Sequence, residues 1–254
     1  MPMNRMNTLT ATGIVLSSMP IGEYDKRIVL LTKELGKITA FARGARRMNS
    51  PYMAGTRPFS FGEFTLFPGR DSYSLNGIKI ENYFDELSAD FDLTCLGMYF
   101  MELASYFSRE NLDGSETIKL IYATFLALLN KNIPNDLVRA IYELKMLVIN
   151  GEYPEVFNCV SCGKNDNLLY FDKSANGVKC ASCANEHASG LKKIEGSSLY
   201  AMQFIISSEI GKLYTFNLSE SVLDEVKRII GDYLKSKVDA KFKSLDMLKD
   251  NFKI

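Results

Sequence analysis

Four of the five cysteines fall into two pairs, Cys159 with Cys162 and Cys180 with Cys183, in the arrangement C-x2-C-x17-C-x2-C. Each pair can offer two sulfurs from one tight turn, with Gly163 directly behind the first, and the spacing lies within that of four-cysteine zinc sites. Four thiolates complete a tetrahedron and leave no position open for water or substrate. The implied role is therefore structural: one zinc per chain, contributing about 10–16 kcal/mol of apparent binding free energy to a segment too small for a core of its own. A redox pair or reactive thiols would be the competing reading, but no thioredoxin-like βαβ pattern surrounds them. His187, the only histidine, could replace Cys183 as fourth ligand, though four matched cysteines make that unnecessary. Cys95 lies in an apolar stretch and reads as a core residue.

The second concentration of chemistry is cationic. Lys37 to Arg47, KITAFARGARR, is a strand-like run that breaks at Gly44 and places Arg43, Arg46 and Arg47 within five positions. Arg57 and Tyr52 follow in the loop from Gly44 to Pro58. Residues 1–80 carry eleven Lys and Arg against five Asp and Glu, and residues 81–254 carry nineteen against twenty-five, so a net charge of zero is +6 joined to −6. Only the local field steers a ligand within a Debye length of about 8 Å, and the first third is thus the part that faces nucleic acid. Catalysis has little support: there is no phosphate-binding glycine loop, no GxSxG and no HExxH. Asp90 and Asp92 leave a metal-dependent nuclease as a weak alternative, while Glu23 and Asp25 read as solvated turn residues. A zinc-ribbon transcription or translation factor is the other alternative, but Cys159 to Cys183 sets Lys164, Lys173 and Lys179 against Asp166 and Asp172, a weak charge for a DNA reader.

The elements that must position these residues follow from hydrophobic period. Five runs rich in β-branched and aromatic residues, Thr10–Ser17, Lys26–Thr32, Lys37–Arg43, Phe59–Phe67 and Tyr73–Ile80, are separated by Pro20 and Gly22, by Gly36, and by Pro68 and Gly69. Gly77 marks a bulge or bend. Five short antiparallel strands bury a core and lose their edges by closing into a barrel, which predicts an OB-type fold. Barrels of this type bind single strands with a cationic groove and aromatic platforms, and Tyr52 and Phe59 are the candidate platforms. Taken singly, Phe59 reads first as a core residue and Arg46 and Arg47 as solvated loop charges, and it is the cluster with the charge asymmetry that favours a binding role. After Ile80 the period becomes helical. Phe91–Phe107 is apolar nearly all round, as in a buried helix; Ile118 to Leu129 follow an N-cap candidate at Ser115; Leu137 to Val148 follow Pro134; Ser198–Ile210 and Ser221–Val238 complete the set. Leu168–Phe171 and the segment at Val178 are two short strands of a ribbon between the cysteine pairs. The prediction is an α+β chain: a five-stranded OB-type barrel at 1–80, then a helical domain at 81–254 with a four-cysteine zinc ribbon inserted at about 157–187. At 254 residues, 46% hydrophobic and 24% charged, the composition is that of a soluble globular protein. The opening MPMNRMNTLT lacks the apolar core of a secretory signal, and no apolar run approaches the ~18 residues of a membrane span, so a cytoplasmic protein with no membrane partner is expected.

Thr12 to Arg47, TGIVLSSMPIGEYDKRIVLLTKELGKITAFARGARR, resembles the opening of the bacterial RecO recombination mediators: a GIVL strand, a GE-x-D turn, a strand ending in Leu-Thr, a Gly-Lys hairpin and an ARGARR segment. Phe59–Gly69 supplies the aromatic strand in the same order, and Tyr142–Gly163 resembles that family's helix leading through Gly-x-x-Pro into a C-x2-C. The resemblance becomes vague after Cys183. It implies an OB-fold domain, a helical domain with a zinc site, and no enzymatic activity. It also implies binding of single- and double-stranded DNA, annealing of complementary strands, contact with the acidic C-terminal tail of single-stranded-DNA-binding protein, and joint action with RecR in loading RecA. Arg43, Arg46 and Arg47 match the family's basic segment, and with Lys37, Arg57 and Tyr52 they make the expected DNA-binding set. Some family members lack the cysteines, in keeping with an architectural metal.

Overall fold

Buried side chains alternate with less buried ones along Gly36–Ala42 and most of Phe61–Pro68, and the chain up to position 82 forms five strands. They are β1 (Leu9–Ile21), β2 (Asp25–Thr32), β3 (Gly36–Ala42), β4 (Phe61–Pro68) and β5 (Tyr73–Asn82). The structure, a computed structural model, describes residues 8–184 and 191–251; His187 lies outside the described residues. The strands close into a barrel in the order β1-β2-β3-β5-β4. All neighbours are antiparallel except β3 and β5, which meet in parallel at Ala40–Tyr73 and Phe41–Ser74. This corrects the expectation of a wholly antiparallel barrel, and the reason is parity: five strands cannot alternate in direction all the way round a closed ring.

β1 runs four residues beyond its expected end. Its first half pairs with β4 over Leu9–Ile14 and most of its length pairs with β2 over Gly13–Ile21, and Leu16 is the extra residue of a bulge within the β2 pairing. Gly13 sits where the two pairings overlap, and a Cβ there would lie 2.3 Å from the carbonyl oxygen of Leu31. In β5 the register shift falls between Gly77 and Leu75, so Asn76 is the extra residue and Gly77 adjoins the bulge. The barrel interior is filled by Val15, Ile28, Leu30, Ile38, Phe64, Leu66 and their neighbours.

The chain forms two compact units. One takes residues 1–125 together with 242–254, and the other takes 126–241. The first adds to the barrel α1 (Phe91–Phe107), the start of α2 (Ser115–Leu129) and α6 (Lys243–Asn251). Asp90 caps α1 by accepting the Leu93 N–H at 3.0 Å. α1 buries Cys95, Leu96, Tyr99, Phe100 and Leu103, as its all-round apolarity predicts. Ser115 is the first helical residue and not the cap; its N–H is taken by Asp113 at 2.8 Å. Phe59 is a core residue, 4% exposed and edge-on to Phe125, which removes it as a stacking platform.

The second unit holds α3 (Asn135–Ile149), β6 (Leu168–Asp172), β7 (Gly177–Cys180), β8 (Leu191–Lys193), α4 (Gly196–Ser207) and α5 (Glu220–Lys237). The last strand was not foreseen; the ribbon is three-stranded, in the order β7-β6-β8. Lys145 of α3 is buried, and its ammonium donates to the carbonyls of Ile205, Ile206 and Ser208 at 3.3, 3.1 and 2.6 Å. Those are carbonyls at the negative end of α4, where a buried cation is both hydrogen-bonded and favoured by the helix dipole. Among the described residues no helix is long and apolar enough to cross a membrane.

Gly36 opens β3 with φ +67, and a Cβ there would meet the Arg109 carbonyl oxygen at 2.2 Å. Gly36→Ala adds left-handed strain to overpacking against backbone, and is expected to lower unfolding free energy by about 2–4 kcal/mol in urea titration.

Candidate metal centre and nucleic-acid interface

The ribbon brings its cysteines together through two tight turns. In the first, Gly163 takes φ +74 and its N–H donates to the Cys159 carbonyl at 2.8 Å, while the Cys159 N–H reaches Lys164 at 2.7 Å. In the second, the N–H groups of Cys183 and Ala184 both donate to the Cys180 carbonyl at 3.1 Å. Cys180 ends β7, and the Val160 N–H donates to the Val178 carbonyl at 2.9 Å, which ties the first turn to that strand. The four Sγ atoms all lie within 4.8 Å of one another, with Cys162 and Cys180 at 3.8 Å. A tetrahedron with Zn–S bonds of about 2.3 Å has edges of about 3.8 Å, so the donor set fits a four-sulfur metal.

The electrostatics agree. Burial pushes the Cys159 thiol up, but hydrogen bonds at Cys180, Ser161 and Cys162 outweigh that and hold it down at about 6. Cys183, hydrogen-bonded to Cys162 and Cys180, is pushed up to about 12. Four crowded sulfurs cannot all ionise without a cation among them, and a divalent metal removes the conflict by replacing the protons. Beneath the site Asp172 is buried. Burial raises its pKa, but Lys179 at 2.7 Å and the hydroxyl of Ser174 at 2.6 Å more than offset this and bring it down to about 2.

The basic residues gather at the end of the barrel where the β1–β2 turn meets the connection from β3 to β4. Arg43 follows β3 and is exposed. Gly44 then turns the chain with φ +66, and its N–H is bound by the Asp25 carboxylate at 2.7 Å. The Arg46 N–H donates to the Tyr24 carbonyl at 2.8 Å and its guanidinium to the Gly22 carbonyl at 3.2 Å, so two contacts fasten the loop to the turn. The Arg47 guanidinium carbon stands 5.0 Å from the centroid of the Tyr24 ring. Arg57 pairs with Asp85 at 2.9 Å and also lies 5.8 Å from the Tyr83 ring centroid. Tyr52 is half-buried against the barrel core, with its hydroxyl donating to the Asn76 carbonyl at 2.9 Å.

Lys37 stands apart from this group. It lies at the opposite end of β3 from Arg43, about 20 Å away along a strand, and its ammonium donates to the Ser105 carbonyl near the end of α1. Two residues missed in the sequence belong to the basic group instead. Lys26 pairs with Ala42 across β2 and β3 and donates to Thr56 Oγ1 at 3.0 Å. Its pKa is lowered by burial and then by the nearby charges of Arg57 and Arg46. Tyr24 is exposed on the turn. The strand register is the signal that could have found both, because it sets positions 24–26 beside 42–46. Of the carboxylates weighed for a nuclease, Asp90 is engaged as the helix cap.

Two outcomes follow for the ribbon. Cys159→Ser or Cys180→Ser should abolish stoichiometric zinc by elemental analysis and lower thermal stability, whereas Cys95→Ala should leave metal content unchanged. Asp172→Asn should lower stability by about 2 kcal/mol at pH 7 in zinc-containing buffer, as measured by denaturant titration. Because the folded-state pKa is depressed, that contribution is complete above the ordinary aspartate value near 4 and is lost as pH falls through about 2.

The family model for the N-terminal region of recombination protein O matches residues 6–84, and the model for its C-terminal region matches residues 88–246. The DNA repair protein RecO of Acetivibrio thermocellus is 32% identical over 247 residues, covering 96% of this chain and 97% of the relative. That of Clostridium acetobutylicum is 30% identical over 244 residues, covering 96% and 98%, and that of a Thermoanaerobacter species is 29% identical over 245 residues with the same coverage. A closed five-stranded barrel, a following set of helices and a four-sulfur cluster at 159–183, matched end to end by these relatives, mean that this chain belongs to the RecO family of DNA repair and recombination proteins.

Proposed function

We propose that the chain is a DNA-binding recombination mediator and not an enzyme: it binds single- and double-stranded DNA through the barrel, promotes annealing of complementary strands and, with a RecR-like partner, helps load RecA onto DNA coated with single-stranded-DNA-binding protein. The observation that carries this reading is the convergence of Arg43, Arg46, Arg47, Arg57 and Lys26 at one end of the barrel. Phosphate contacts from such a face are independent of sequence, as a mediator acting at any break requires. Residues 1–80 then serve as the DNA-binding domain, and 81–254 as the part that meets the acidic tail of single-stranded-DNA-binding protein. The names of the relatives supply the cellular setting of DNA repair. Zinc acts within the ribbon as a structural ion. Strand annealing on oligonucleotides coated with single-stranded-DNA-binding protein, compared with the same protein lacking its C-terminal tail, tests the whole reading: tail-dependent annealing is expected, and no annealing on either coat counts against it.

The arginines give the sharpest expectation. If Arg43, Arg46 and Arg47 each neutralise one phosphate, affinity for single-stranded DNA falls with salt at a log–log slope of about −0.7 per contact. The triple alanine variant should lose affinity at fixed salt and reduce the slope magnitude by roughly 2, alike for every sequence tested. The loop should hold its place in that variant, since the Arg46 contact to Tyr24 at 2.8 Å is made by backbone atoms. Retained melting temperature and zinc content verify this. A folded triple variant with unchanged affinity and slope would move the DNA site elsewhere.

A further inference from the structure

The basic face treats single and double strands alike as far as its cations are concerned, because both present phosphates. One feature of that face discriminates. Tyr24 lies on the two-stranded turn between β1 and β2, and 43% of it is exposed. Ile21 and Asp25 pair across that turn, Gly22 takes φ +56 within it, and Arg46 holds it through the carbonyls of both Gly22 and Tyr24. The ring is therefore mounted on rigid backbone, and its use as a contact requires little further ordering. The Arg47 guanidinium lies over the ring, 5.0 Å from its centroid, so one face of the ring is backed by a planar cation and a base would stack on the other face. Lys26 directly follows the turn, Arg46 is bound to it, and Arg43 follows Ala42, the strand partner of Lys26, so cations that could hold a strand's phosphates lie close to the ring.

Resting on the reading that this face binds DNA, we infer that Tyr24 and Arg47 form a ledge on which one unpaired base stacks, so that the face selects single-stranded over duplex nucleic acid. A base offers a free face for stacking only when it has left the helical stack, whereas phosphates are available in either form. The ledge adds affinity for open strands and adds nothing for closed ones. It is also indifferent to base identity, because every base has a π face.

The chain contains no tryptophan, so Tyr24→Trp installs a single reporter. Its fluorescence should be quenched by single-stranded oligothymidylate and left unchanged by a duplex of equal length at saturating concentration. Tyr24→Ala should weaken single-strand binding by about 5- to 150-fold, the range expected for one stacked base, while duplex affinity stays the same. Its salt slope should match that of the parent protein, since no phosphate contact is removed. Tyr24→Phe should bind as the parent does. Unchanged single-strand affinity in Tyr24→Ala, an equal loss on single strand and duplex, or a reporter that does not respond to single strand would each overturn the ledge. If Tyr24→Ala binds normally while the triple arginine variant is weakened, the ledge alone fails; if neither variant is weakened, the basic face itself is not the DNA site.

Discussion

Closure of an odd number of strands is the constraint from which the rest of the first unit follows. Five strands in a ring force one parallel neighbour pair, and here it falls between β3 and β5. β3 therefore does not continue into its spatial neighbour by a hairpin. The chain leaves β3 at Ala42 and enters β4 at Phe61, a connection long enough to lie across the barrel end before β4 and β5 are laid down. That connection is the segment that carries Arg43, Arg46, Arg47 and Arg57. Its position is fixed by backbone hydrogen bonds to the β1–β2 turn and by the Asp25 carboxylate, so the cations are displayed by a loop whose course the topology requires.

The second unit solves a different problem. The segment around the cysteines has few apolar residues, and a three-stranded ribbon with strands of five, four and three residues cannot stabilise itself by burial alone. Four sulfurs drawn within 4.8 Å supply the missing cohesion once a cation is present. A metal held there would couple folding to its supply, with all four positions of the tetrahedron taken by protein sulfurs. Chemistry on a substrate has no place there, and the division between an architectural centre in one unit and a cationic face in the other is consistent with a protein that works by binding.

The barrel and the long helices were legible because their hydrophobic periods are clean and their breaks carry proline or glycine. The cysteine spacing was equally plain, since metal geometry leaves few alternatives. What escaped has physical reasons. β8, Leu191–Lys193, is too short for a period to register and exists because β6 offers it an edge. Ser115 has the residue type of a cap, but the helix already includes it, and its own N–H is taken by Asp113 two residues earlier. Lys37 lies at the start of β3, whereas the arginines follow its other end, and its ammonium donates to the Ser105 carbonyl of a helix. Lys26 and Tyr24 escape because they join the cationic group through strand register and not through adjacency in sequence, while the core reading of Phe59 holds, since it is buried edge-on to Phe125 just ahead of β4.

The bulge in β1 sets how this family member can drift. One strand serves two partners, and its pairing with β2 carries a single extra residue between Val15 and Ser17, while side chains on a strand alternate between faces at every step. Removing one residue there would straighten the strand, send Val15 and its neighbours outward on one side of the deletion, and shift the β1–β2 turn by one position against the loop it anchors. Inserting one would do the same in the other direction. Substitutions along β1 can therefore accumulate so long as size and polarity are kept, while changes in length are confined to segments such as 48–51, where the residues are mostly exposed and no strand is in register with them. A change in the length of β1 therefore disturbs the barrel more than a conservative change in its composition, because it moves every later side chain of the strand to the other face.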